Sequence, residues 1–162
     1  MKKLLYFAYG SNLLSARLRA RIGSAIHFKN YRLKDYKLTF DCQGYANIQR
    51  SIGDHVEGCL YSVSGEELAM LNQYEALYHA EFFEYDSDTI IAIYIGNYEP
   101  VKHSRVHNLA PMRAYLEIVM LGMLEKGLKL SHDKVKRIYD SLPLERVHIK
   151  SNRKAKRFRK RK

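Results

Sequence analysis

Tryptophan is absent from the 162 residues of this chain, proline occurs 3 times and cysteine twice. The two cysteines, Cys42 and Cys59, have no paired spacing. That excludes a disulfide framework and a CxxC site, and reads as reduced, structurally buried thiols in a cytoplasmic protein. No apolar stretch approaches the length of a transmembrane helix. A secretory leader is not expected either, because the apolar run after Lys2-Lys3 meets Tyr9-Gly10-Ser11-Asn12 too soon to form an h-region. Acidic residues are missing from one region: between Arg146 and Lys162 there are ten Lys or Arg and no Asp or Glu. The formal charge of +11 belongs to that segment, since removing it leaves 18 basic residues against 17 acidic ones. What is present is a globular composition, 46% hydrophobic and 12% aromatic with 13 tyrosines. It suits one domain over residues 1–145 with a sizeable core, followed by a basic tail over 146–162.

Lys3–Tyr9 reads as a first, largely buried strand. It stops on Gly10-Ser11-Asn12, and "SNLLSARLRARI" reads as a short helix with Ser11 or Asn12 as its N-cap, ended by Gly23. The runs "AIHFKNYRL", "YKLTFD", "YANIQRS" and "VEGCLYSV" are expected as successive strands, with "DCQG" and "SIGD" as turns. Ser64 and Glu67 have the spacing of a capping box at the head of a helix, "SGEELAMLNQYEALY". "EFFEY" and "TIIAIYIG" return to strand. A loop through His103 and Asn108 precedes a long helix, "APMRAYLEIVMLGMLEKGL", with Pro111 in its first turn, and "SHDKVKRIYDSL" is a shorter helix. Gly122 and Gly127 suit helix packing and helix termination. The fold class is therefore α+β, a curled or barrel-like sheet with inserted and appended helices.

Within the helix from Ser64, successive residues turn by roughly 100°, which gathers Leu77, Met70, Tyr74, Tyr78, Leu71 and Leu68 on one apolar arc. Glu75 falls inside that arc. A carboxylate there must be paired, protonated or turned to a cavity, because stranding its charge costs several kcal/mol, as a rough guide. Two readings follow. In one, Glu75 emerges near the helix end and pairs with an Arg or Lys. In the other, desolvation lifts its pKa toward the range of a general base.

Taken together, "LYFAYGSNLL", the "GCLYSV" that leads into "LNQYEAL", and "APMRAYLEIVMLGMLEKGL" resemble the gamma-glutamylcyclotransferase family, from about Leu4 to about Leu142. The resemblance implies a small mixed barrel with surrounding helices and a cavity at its mouth. It implies that the alpha-amine of a gamma-glutamyl substrate attacks its own gamma-carbonyl, giving 5-oxoproline and a free amine or amino acid, with no metal and no cofactor. Glu75 would be the catalytic base. Tyr6, Phe7, Ala8, Tyr9, Gly10 and Ser11 would line the substrate site, Asn12 would complete the loop, and Tyr115 would hydrogen-bond the substrate. A strand ending in a Gly-Ser-Asn turn ahead of a helix also supplies backbone N–H donors for an anion. Ala76 stands where the family commonly has Gly, and Phe82 stands where relatives have Tyr, which bears on substrate preference.

His103 and His107 are four apart but lack a third ligand, so a zinc site is not expected. The basic tail reads as a solvated charge run, or as a nonspecific contact with nucleic acid or another anionic surface. A non-catalytic module of the same fold, tethered to nucleic acid by that tail, is the alternative to an enzyme. The sequence leaves the oligomeric state and the leaving group open.

Overall fold

The computed structural model describes residues 2–24, 26–41, 43–96 and 111–143. His103, His107, Cys42 and the basic tail lie outside the described residues.

Strand β1 (Lys3–Ala8) is the centre of a five-stranded sheet. It pairs antiparallel with β3 (Ala46–Ser62) and parallel with β5 (Thr89–Gly96), and β2 (Ile26–Phe40) and β4 (Tyr78–Asp86) complete the order β2-β3-β1-β5-β4. The period-2 geometry of β1 sends Tyr6 and Ala8 into one apolar cluster, and Leu5, Phe7 and Tyr9 into another. The second cluster is built almost wholly from strand residues, so the sheet wraps around it. Tyr31 and Tyr36 of β2 meet Tyr85 and Phe83 of β4, with ring centroids 6.0 and 6.4 Å apart. These two edge strands therefore touch through side chains and share no ladder. The fold is α+β as expected, but the barrel is an open, curled sheet.

The expected strands at 25–33 and 36–41 merge into β2, and those at 45–51 and 56–63 merge into β3. "DCQG" is the hairpin turn between them: Asp41 and Tyr45 exchange a backbone bond of 2.8 Å, and Gly44 has φ 81°. "SIGD" is not a turn. Gly53 at φ 86° and Asp35 at φ 62° sit beside a register shift inside the paired strands, and the Gly53 N–H donates to Asp35 Oδ1 at 3.0 Å. A bulge of this kind bends a hairpin without ending it.

Four helices pack on the outer face: α1 (Ser15–Ile22), α2 (Gly65–Tyr74), α3 (Arg113–Glu125) and α4 (Lys129–Ser141). The capping box at Ser64 and Glu67 is present in both directions. Ser11 and Asn12 do not cap: Ser11–Leu13 form a separate 3-10 turn, and α1 starts after Leu14 with no side-chain cap of its own. Its first N–H, that of Ser15, donates instead to Glu125 Oε2 at 3.3 Å. Pro111 lies ahead of Met112, the N-cap of α3. Gly122 brings α3 against the 3-10 turn, where a Cβ would come within 2.6 Å of the Leu14 nitrogen. Gly127, at φ 68°, ends the same helical segment. Cys59 is buried, and burial pushes its thiol up to about 12.

Candidate active site

Helix α2 stops at Tyr74, and Glu75 is its C-cap, with its N–H on the Leu71 carbonyl at 3.2 Å. The chain turns at once, the Tyr78 N–H donating to the Glu75 carbonyl at 2.8 Å, and β4 begins. The expected continuous arc is thus broken. Leu68 and Leu71 are buried, whereas Met70, Tyr74 and Leu77 are exposed. Glu75 is shielded for a different reason: it folds back against α1 and the 3-10 turn, leaving its side chain 15% exposed.

Glu75 is both paired with a cation and desolvated. Its Oε1 accepts from Arg21 Nη1 at 3.1 Å and from Asn12 Nδ2 at 3.2 Å. Asn12 is fixed by chemistry at both ends, since its Oδ1 accepts from Arg21 Nη1 at 2.9 Å while its Nδ2 also reaches the Tyr6 hydroxyl at 2.8 Å. The ring of Tyr74 supports Arg21, whose guanidinium carbon is 4.8 Å from the ring centroid. Glu75 Oε2 has no hydrogen bond among the described residues. Burial raises the Glu75 pKa above its ordinary value, and Arg21, Asn12 and Arg17 partly offset this. A carboxylate held by one oxygen, with the other free and the basicity raised, has the form of a general base.

Glu75 lines a cavity of about 380 Å³, large enough for a small molecule. Its floor carries Tyr6, Tyr9, Gly10, Ser11 and Asn12, and α1 contributes Arg17 and Arg21. The tip of the β2–β3 hairpin supplies Gln43, Tyr45 and Ala46, while Tyr74 to Tyr78, Tyr94 and Tyr115 close the remaining sides. Seven of the 13 tyrosines line this space. Tyrosine suits such a wall because its ring packs as an apolar surface while its hydroxyl stays available. Burial pushes Tyr94 and Tyr115 up to about 12 and Tyr6, Tyr9 and Tyr78 in the same direction, so these hydroxyls stay protonated at neutral pH.

Tyr115 accepts a hydrogen bond from the Ala46 N–H at 3.0 Å, which ties the hairpin tip to α3. Tyr78 reaches the same tip, its hydroxyl 2.9 Å from Asp41 Oδ2 and 3.0 Å from the Ala46 carbonyl. Glycine at position 10 permits this closure: a Cβ there would lie 3.1 Å from Ala46 Cβ and 3.4 Å from the Tyr115 hydroxyl. The N–H groups of Ser11 and Asn12 head the 3-10 turn and take no acceptor among the described residues.

Of the residues singled out in the sequence, Glu75, Tyr6, Tyr9, Gly10, Ser11, Asn12 and Tyr115 meet at this cavity. Phe7 and Ala8 are fully buried in the two apolar clusters and are not part of its lining. Ala76 lines it, and Phe82, 59% exposed on β4, does not. Arg17, Arg21, Tyr78 and the hairpin tip were missed. The two arginines are one turn apart on a predicted helix, and the one signal available for them was the need for a cation beside Glu75, which does not say which cation.

A family model described as gamma-glutamyl cyclotransferase, AIG2-like, matches residues 6–113, which span the 3-10 turn, the hairpin and Glu75. The chain belongs to this family. Among the cyclotransferase relatives, the gamma-glutamylcyclotransferase of Bos taurus is 30% identical over 152 residues, covering 82% of this chain and 77% of its own. That of Homo sapiens is 31% identical over 157 residues, with coverage of 85% and 79%. A solved structure described as gamma-glutamyl cyclotransferase superimposes with a TM-score of 0.68 at 28% identity, covering 90% of this chain and 92% of that one. No helix among the described residues is long and apolar enough to cross a membrane.

Proposed function

We propose that the cavity cyclises a gamma-glutamyl group, with Glu75 as the base. An ammonium cannot attack a carbonyl, so the substrate's alpha-amine must first lose a proton; the free oxygen Oε2 of Glu75 takes it. The amine nitrogen then bonds to the gamma-carbonyl carbon, and the five-membered ring of 5-oxoproline closes as the old amide bond breaks. The proton held by Glu75 leaves on the departing nitrogen, and the second proton, shed by the ring nitrogen as it becomes an amide, passes through the same carboxylate to the freed amine. No water enters the balance.

The tetrahedral intermediate carries an oxyanion, and the glutamyl group carries an alpha-carboxylate. Both need donors in place beforehand. The N–H groups of Ser11 and Asn12 supply two. The Tyr6 and Tyr115 hydroxyls supply two more, since each accepts a hydrogen bond from the protein and keeps its own proton for a ligand. Residues 1–145 form the catalytic domain in this reading, with 146–162 as an appended tail, and the buried free thiol of Cys59 suits the reducing cytoplasm.

One observation carries the proposal: Glu75 lines a cavity rimmed with donors, its Oε1 anchored by Arg21 and Asn12 and its Oε2 without a hydrogen bond among the described residues. A module that only bound its ligand would gain nothing from a desolvated base, which favours the enzyme. The test is a screen of gamma-glutamyl compounds with 5-oxoproline as the readout, repeated with Glu75→Gln. That change keeps shape and removes basicity, and a loss of at least about 100-fold in kcat is expected. Release of 5-oxoproline by the variant at the parent rate would overturn the assignment of the base.

A further inference from the structure

Two sides of the cavity come from segments far apart in the chain: the turn that carries Glu75, and the hairpin tip with Gln43, Tyr45 and Ala46. Tyr78 is bonded to both. Its N–H donates to the Glu75 carbonyl at 2.8 Å, which closes the turn between α2 and β4. Its hydroxyl lies 2.9 Å from Asp41 Oδ2 and 3.0 Å from the Ala46 carbonyl. A phenol has one proton, and of these two acceptors the carboxylate is the stronger, so the proton goes to Asp41. Asp41 passes the hold on to the tip. Its Oδ1 accepts the N–H groups of Gln43 and Tyr45 at 2.8 and 2.9 Å, and its own N–H donates to the Tyr45 carbonyl at 2.8 Å. One carboxylate oxygen thus shapes the turn while the other ties it to β4. Tyr115 also holds the tip, by the Ala46 N–H at 3.0 Å and by the Tyr45 ring, but it belongs to α3 and binds nothing in the turn of Glu75.

We propose that Tyr78 is a positioning residue which, through Asp41, sets the spacing between the hairpin tip and the turn of Glu75, and so the width of the space that receives the gamma-glutamyl group. The inference rests on the cyclotransferase reading and adds to it a hydroxyl that takes no part in the proton transfers. Glu75 keeps its own anchors, Arg21 and Asn12, whatever becomes of that hydroxyl. The Tyr78 N–H, which fixes the turn, is backbone and survives a change of side chain. The hydroxyl therefore acts on KM more than on kcat.

Tyr78→Phe removes the hydroxyl and keeps the ring and the N–H. With gamma-glutamyl-alanine as the probe, the full-length variant is expected to show a KM about tenfold higher, the size of one hydrogen bond to a charged group, and a kcat within about threefold of the parent. Hydrogen exchange at the Gln43 and Tyr45 amides should quicken with it. Asp41→Asn separates the link from the charge. The N–H groups of Gln43 and Tyr45 hold the amide oxygen, which turns the amide nitrogen toward Tyr78; the phenol then donates to the Ala46 carbonyl, and the link survives with donor and acceptor exchanged. That variant should stay within about threefold of the parent in KM. Tyr139→Phe is the matched control, because its hydroxyl bonds Glu117 Oε1 at 2.7 Å outside the cavity lining, and it should leave KM and both amides as they are. A drop in kcat at constant KM in Tyr78→Phe would place the hydroxyl among the reacting groups and overturn the proposal. So would unchanged kinetics, or equal damage from Asp41→Asn or from Tyr139→Phe. If the parent releases no 5-oxoproline, the cyclotransferase reading fails alone, and exchange at the two amides still decides whether Tyr78 holds the tip: rates unaltered by Tyr78→Phe would sink that role.

Discussion

A buried carboxylate beside a permanent cation is ordinarily a structural pair, and at Glu75 the pairing is partial. Arg21 and Asn12 both take Oε1, and burial outweighs them in setting the direction of the pKa shift. The sign of the pH dependence follows. In the proposed role Glu75 acts as a base only when ionised, so activity is expected to fall as pH drops through its pKa, and burial places this acid limb above the ordinary glutamate value. Arg21 favours the ionised form. Arg21→Gln, which keeps a donor but removes the charge, should move the acid limb of kcat/KM to higher pH. A limb that stayed put or moved lower would show that Arg21 does not tune the base. At this scale the sequence singled out a residue that lines the cavity, through an incomplete argument. Glu75 was conspicuous because Leu68 and Leu71 made its neighbourhood look apolar, but the helix ends one residue before it. Its true shield, the packing of α1 and the 3-10 turn against it, is tertiary and leaves no trace in local periodicity. For the same reason nothing in the local sequence ties Arg17 and Arg21 to Glu75.

At the scale of elements, residues with strong local preferences were legible where those preferences were used locally. Ser64 and Glu67 cap α2 as their spacing implies, and Gly127 ends its helix. Ser11 and Asn12 look like caps too, but their side chains turn to Arg17, Arg21, Tyr6 and Glu75, and the job of capping α1 passes to Glu125 from another helix. A local signal thus misleads where a site claims the residue. Buried Glu57 behaves like Glu125: its Oε1 pairs with Arg32 at 3.1 Å and its Oε2 accepts the Ser131 N–H at 3.0 Å, near the start of α4. The 3-10 turn depends on α3 in turn. Gly122 has an ordinary φ, but any Cβ would meet the Leu14 nitrogen at 2.6 Å and Leu13 Cβ at 2.7 Å. Backbone cannot swing away as a side chain can. Gly122→Ala should therefore cost about 1–3 kcal/mol in stability, measured by denaturant unfolding, and should lower kcat/KM by displacing Asn12. A fully active variant with unaltered stability would contradict that dependence.

Across the whole molecule, one side of the cavity is the tip of a long hairpin whose strands carry a register shift part-way along. β2 and β3 run as a continuous pair from the body of the sheet to a tip whose Tyr45 and Ala46 close over the Gly-Ser-Asn loop, with the Tyr45 ring 5.1 Å from that of Tyr115. In the sequence, "SIGD" carries the same glycine signal whether the chain turns back or only kinks. The number of strands was misjudged there, while the α+β class and the curled sheet were not. The bend rests on the Asp35 carboxylate, which accepts the Gly53 N–H, and on the left-handed backbone at Gly53. A Cβ at Gly53 would meet nothing within 4 Å, so the cost of Gly53→Ala is conformational alone, about 1 kcal/mol. Gly65 supplies the matched control: it also has open space around its Cβ position, but it lacks the positive φ and opens α2. Gly65→Ala should leave stability unchanged or raise it by a few tenths of a kcal/mol. If the bend positions the tip, Gly53→Ala should lose kcat/KM well beyond its small loss of stability, chiefly through KM, and speed hydrogen exchange at the Ala46 amide that Tyr115 accepts. Equal kinetics in the two alanine variants would mean that the tip keeps its place without the kink, held by Tyr78 and Tyr115 alone.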